Sequence, residues 1–241
     1  MNILLWVIVF VIVFWALANW FKKWANIEIG KELKTGVYEI FDCLIAVGIW
    51  YIGMNLLSKY VKNYIKFTLL YLLITVIIVV IFTLLRKRNS QDIGLSTKNL
   101  GKILVITVIV FGVTFVMNLW ALYLKISPYP IKIEISSLKV ALIIIGMGVI
   151  NPGLIEELLF RGFVLSKLER FLEWKWALLI SAFLFGIIHV KQGIFPVIGS
   201  IYLGLLFGYF FHCVRSIIPL VIGHGLGLTV AIVVANIVGI L

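Results

Sequence analysis

The chain has 241 residues, 63% of them hydrophobic and only 13% charged, with a formal net charge of +11; its mean hydropathy is +1.18. Globular domains run at roughly 45–50% apolar and about 25% charged residues, so this balance excludes a water-soluble domain and indicates an integral membrane protein. The basic residues, 21 against 10 acidic, fall between apolar runs, where Lys and Arg fix topology against lipid head groups rather than bind nucleic acid. Cys43 and Cys213 both lie inside apolar runs and suggest no disulfide framework.

A membrane-crossing helix needs roughly 20 apolar residues. By that rule the sequence predicts an all-α, polytopic bundle of about eight helices, near 3–21, 37–57, 65–85, 102–124, 138–165, 174–190, 194–213 and 216–239. Ala16-Leu17-Ala18 resembles a signal-peptidase site. However, nothing basic precedes the first run and Lys22-Lys23 follow it, the reverse of a signal peptide's charge order, so this run reads as a retained helix. The second run carries Glu39 and Asp42 near its start, which predicts a beginning at Cys43, or earlier at an interface. The third, "FTLLYLLITVIIVVIFTLL", is the cleanest, and "RKR" closes it. The polar gap "RKRNSQDIGLSTKNLGK" divides an N-terminal part (1–100) from a membrane domain over 101–241. Lys and Arg in alternate loops number 4, 5, 3 and 1 on one side (13) and 0, 3, 3 and 1 on the other (7). Positive-inside then places the 166–175 turn in the cytoplasm and both termini outside.

The fifth run contains "NPGLIEELLFRGFVL", residues 151–165. Glu157 and Arg161 are four apart, on one helical face, with Glu on the N-terminal side as an ion pair prefers. Glu156 is five from Arg161, about 140° around the helix, so Arg161 neutralises Glu157 and leaves Glu156 free. Ionisable residues within spans are costly and usually face a cavity or a partner. His189 closes the following run four residues after Phe185, at nearly the depth of Glu156 when both are counted from the turn near 171 at about 1.5 Å per residue. His224 lies in the last run among Gly223, Gly225 and Gly227, residues that permit close helix approach. A carboxylate and two imidazoles at membrane depth can hold a metal or hold a water directly, and either arrangement can activate water against a carbonyl. Pro152 predicts a kink that frees a carbonyl.

"EELLFR" fits an EExxxR motif and "FGIIH" an FxxxH motif, and "GLLFGYFFHCVRSIIPLVIGH" runs through Gly204 and Gly208 to His224. Over roughly 135–230 the chain thereby resembles the CPBP intramembrane proteases, also called Abi or CAAX prenyl protease type II. The resemblance implies a membrane peptidase whose cavity opens to the cytoplasm, in a bacterial-type cell membrane. It also implies Glu156 as general base, His189 as its assistant and His224 at the carbonyl or oxyanion, with Glu157 and Arg161 holding the helix and Phe185 supporting the site. The implied substrate is a membrane-associated peptide or protein. The implied cofactor is a divalent metal such as zinc on Glu156, His189 and His224, or none. The sequence departs from the family at Leu228, where Asn or Asp is usual. That departure leaves open a member that binds peptides, as in bacteriocin immunity, without cutting them. From another class, buried charges also suit a small transporter or membrane partner, but its usual paired helix breaks are missing from the sequence.

Overall fold

The computed structural model describes residues 31–84, 93–97, 99–126 and 137–240. The chain divides into two compact units, Met1–Tyr38 and Glu39–Leu241, and the second holds the motif-bearing helices. The helix expected near 3–21, with Ala16-Leu17-Ala18 and Lys22-Lys23, lies outside the described residues, as does much of the polar gap after Leu84.

Among the described residues seven helices follow one another: α1 (Lys31–Tyr60), α2 (Tyr64–Leu84), α3 (Leu100–Tyr123), α4 (Leu138–Leu168), α5 (Trp174–Ile187), α6 (Ile194–Val214) and α7 (Ile218–Ile237). The only extended pairing among the described residues is an isolated bridge between Leu95 and Ser216. The fold is all-α. Six of the helices, all but α5, are long and apolar enough to cross a membrane.

The first correction concerns Glu39 and Asp42. α1 begins at Lys31, so both acids lie inside the helix rather than at its start. Three apart, they share a face and meet one cation: Lys167 Nζ is 2.8 Å from Glu39 and 2.5 Å from Asp42. Lys167 is fully buried, with the Phe163 ring 5.1 Å from its ammonium. Two carboxylates and aromatic faces offset the desolvation that a lone buried ammonium could not survive.

α4 is not a uniform rod. Asn151, just before Pro152, has φ −133° and ψ 109°; proline disfavours the helical region for its predecessor and donates no N–H. The kink expected at Pro152 is present, and the Asn151 carbonyl accepts the Tyr64 hydroxyl at 3.4 Å. From Leu158 to Leu165 the helix is π-wound, a local widening frequent at functional sites. Ser166 Oγ donates to the Arg161 carbonyl at 3.0 Å there.

The second correction concerns α5. The expected span 174–190 ends at Ile187 after 14 residues, about 21 Å at 1.5 Å per residue, against a hydrocarbon core of about 30 Å. The chain turns through Val190–Gln192 and starts α6 from Gly193, whose φ of +111° suits a residue without Cβ. Irregular backbone at membrane depth persists where it lines a protein cavity rather than lipid. The short helix makes room for that cavity.

α7 closes the bundle through its glycines. A Cβ on Gly225 would lie 2.5 Å from the Gly148 carbonyl oxygen, and one on Gly227 would lie 2.6 Å from Thr114 Cβ. Gly225 thus admits α4 and Gly227 admits α3, placing His224 between them. Residues 61–63, 124–126 and 188–193 lie at one end of the bundle; 93–97, 169–173 and 215–217 lie at the other.

Candidate active site

Arg161 organises the site. Its Nη1 lies 3.1 Å from Glu157 Oε1, the pair expected from four-residue spacing, and both side chains are buried. Nη2 donates to the carbonyls of Leu203 and Gly204 at 3.3 and 3.4 Å, which ties α4 to α6. The guanidinium carbon stands 4.5 Å from the ring centre of Phe185 and 5.4 Å from that of Phe207. Each ring in turn meets a histidine edge to face: Phe185 meets His189 at 5.1 Å, and Phe207 meets His224 at 5.4 Å. One cation thus sets two aromatic plates, and each plate carries an imidazole. Phe185 thus lies against both the Arg161 guanidinium and the His189 ring.

The hydrogen bonds of the two imidazoles fix their tautomers. His189 Nδ1 is 2.8 Å from the Phe185 carbonyl oxygen; a carbonyl only accepts, so Nδ1 carries the hydrogen and Nε2 is left for other work. His224 Nδ1 is 3.0 Å from Glu157 Oε1, and the carboxylate likewise takes the Nδ1 hydrogen. Glu157 therefore does more than pair with Arg161: it also orients His224, from 67 residues away in the chain. Four-residue spacing accounts only for the first task.

Glu156 contrasts with its neighbour. It is half-buried and has no hydrogen-bond or ion-pair partner among the described residues. A cavity of about 460 Å³ is lined by Glu156, His189 and His224, together with Asn118, Leu228 and Gln192. The structure thus brings Glu156, His189 and His224 to one cavity, with Glu157, Arg161 and Phe185 behind them. Among the described residues, no three His, Cys, Asp or Glu side chains gather as a ligand set for a metal ion.

The cavity has a direction. Its wall reaches Leu124 and Ile126 beyond α3, Gln192 in the turn, and Phe195 and Pro196 at the start of α6; none of it comes from the connections at the other end. Trp120, Phe195 and Ile198 also line it while 65%, 61% and 58% exposed. In a span, such exposure faces lipid, so the cavity has an apolar side between α3 and α6. The mouth lies opposite the 166–175 turn, so the charge-derived orientation and the expected cytoplasmic opening exclude one another.

Asn118, Gln192 and Ser200 line the cavity, and no sequence motif marks them. Asn118 sits in "VMNLWALYL", and nothing in its own helix sets it apart. Only the packing of α3 on α7 brings it into the cavity that His224 also lines.

The family described as Type II CAAX prenyl endopeptidase Rce1-like matches residues 136–229, close to the stretch that carries the motifs. No curated protein and no solved structure matches the chain significantly.

Proposed function

Because residues 136–229 form a domain of the Rce1-like type II CAAX prenyl endopeptidase family, we propose that the protein is an intramembrane endopeptidase in which Glu156 activates water against a peptide bond. The observation that carries this reading is the unpartnered Glu156 carboxylate sharing a cavity with two imidazoles whose Nδ1 atoms are already committed. Glu156 takes a proton from water as the water oxygen bonds to the carbonyl carbon, and the carbonyl electron pair moves to oxygen. His189 Nε2 accepts from the water and positions it, and His224, steadied by Glu157, borders the carbonyl and donates to it from Nε2 only as an imidazolium. Collapse of the adduct breaks the C–N bond, and the proton held by Glu156 passes to the leaving amine. The other water proton stays on the new carboxyl group and passes on its ionisation to the amine, so the products are a carboxylate and a protonated amine. These steps use the protein's own groups and none passes through a metal.

The apolar opening between α3 and α6 suits a peptide carrying a lipid-embedded segment. The test is a comparison of peptide termini in cells carrying wild type and Glu156→Ala. New termini present only with wild type are expected; identical termini in both strains overturn the reading. A peptide-binding member without turnover is the second reading, favoured by Leu228 where an amide is usual, and it predicts those identical termini.

The orientation follows the chain's own charges. In the alternate-loop count made from the sequence, the set that includes Lys191, beside the mouth, carries 7 Lys and Arg against 13, which assigns the mouth to the outer face. Cys213 is exposed and Cys43 buried, so in a Cys213→Ser background Gln192→Cys reports on the mouth and Arg170→Cys on the opposite end. A membrane-impermeant maleimide is expected to label Gln192→Cys in intact cells and Arg170→Cys only after lysis. The reverse pattern assigns the mouth to the cytoplasm.

A further inference from the structure

An oxyanion forming in this cavity needs hydrogen-bond donors held in place before the reaction. Glu156 accepts, and Leu228 contributes only hydrocarbon. Both α3 and α7 start at the 93–97 and 215–217 end, so they run parallel. Cβ atoms built on Gly223 and Gly227 meet Val110 and Thr114 at 2.7 and 2.6 Å, a constant offset along the two helices. One turn beyond Thr114 comes Asn118. Its Nδ2 donates to the Thr114 carbonyl at 2.8 Å, which draws the amide back along α3, as helical side chains lean toward the N-terminus. The same offset sets Asn118 opposite Ala231, and the lean carries its amide back toward Leu228; both Asn118 and Leu228 line the cavity that holds Glu156. A primary amide has two N–H groups and one acceptor oxygen. One N–H is used on Thr114; the second N–H and Oδ1 have no partner among the described residues.

We propose that Asn118 is a catalytic residue: its free N–H donates to the substrate carbonyl oxygen as that oxygen becomes an anion. The role rests on the peptidase reading above. In the attack step, the electron pair displaced onto the carbonyl oxygen is held by Asn118 Nδ2–H, while the water proton goes to Glu156. Unlike an imidazole, the amide donates whatever its neighbours' protonation. The donor comes from α3, so the site functions with Leu at 228.

The test uses the full-length protein in liposomes with an internally quenched, membrane-anchored peptide library. Asn118→Asp keeps the size but loses both N–H groups; Asn118→Leu removes the amide altogether. Each is expected to lower kcat about 10²–10³-fold with little change in KM and an unchanged melting temperature. Asn118→Leu combined with Leu228→Asn is expected to recover part of the lost kcat, because the second change restores an amide to the same cavity. Wild-type cleavage that depends on Glu156 but survives both single variants at full kcat overturns the role of Asn118 alone. Loss of stability in both variants, with kcat per folded molecule unchanged, does the same. Wild-type protein that cleaves nothing in the library overturns the peptidase reading with it.

Discussion

Glu156→Gln protein is expected to fold normally and to lose about 10²–10⁴-fold in turnover, the usual contribution of a positioned general base. The substitution keeps the volume and polarity of the side chain and removes its capacity to take a proton. Nothing in the fold depends on the charge, since the carboxylate has no hydrogen-bond or ion-pair partner among the described residues. Thermal unfolding in detergent should therefore stay at the wild-type midpoint, or rise, because a half-buried unpaired carboxylate carries a desolvation cost. Turnover on the membrane-anchored library supplies the other half of the check. A Gln variant with wild-type turnover places the base elsewhere.

Arg161→Met is expected to behave in the opposite way, acting first on stability. Glu157 and Arg161 are 0% and 1% exposed, and removing one partner of a buried pair typically costs about 3–5 kcal/mol, because the other charge stays behind. The Leu203 and Gly204 carbonyls lose their donor, and Phe185 and Phe207 lose the cation between them. A Glu157→Leu, Arg161→Met double variant removes both charges and should recover much of the unfolding midpoint, since apolar replacements of buried pairs are often neutral. It should not recover turnover, because His224 Nδ1 then lacks its acceptor. Recovery of both stability and turnover would show that Glu157 has no part in orienting His224.

Those two residues also mark how far the sequence could be read. Four-residue spacing was enough to pair Glu157 with Arg161, because that geometry is local to one helix. It was also enough to set Glu156 apart, even though α4 is π-wound over 158–165 and departs from 100° per residue there. The second bond of Glu157, to His224, joins two helices, and no spacing rule reaches it. The same holds for Lys167, which explains Glu39 and Asp42 from more than a hundred residues away, and for Asn118. Helix lengths were legible where hydropathy ended at charge, as at Arg215 between α6 and α7. They failed at α5, because "FGIIH" stays apolar while the backbone has already turned. His189 and Gln192 of that early turn line the cavity, so part of its wall was the least visible feature in the residues.

Activation of water by Glu156, and its addition to a peptide bond, is the central claim. The direct measurement is cleavage of the membrane-anchored library by purified protein in H₂¹⁸O, read by mass spectrometry of the newly formed C-termini, with Glu156→Gln alongside. The expected result is ¹⁸O in the new carboxylates with wild type and loss of those products with the variant. No new C-termini with wild type, or equal labelled product from Glu156→Gln, would contradict it.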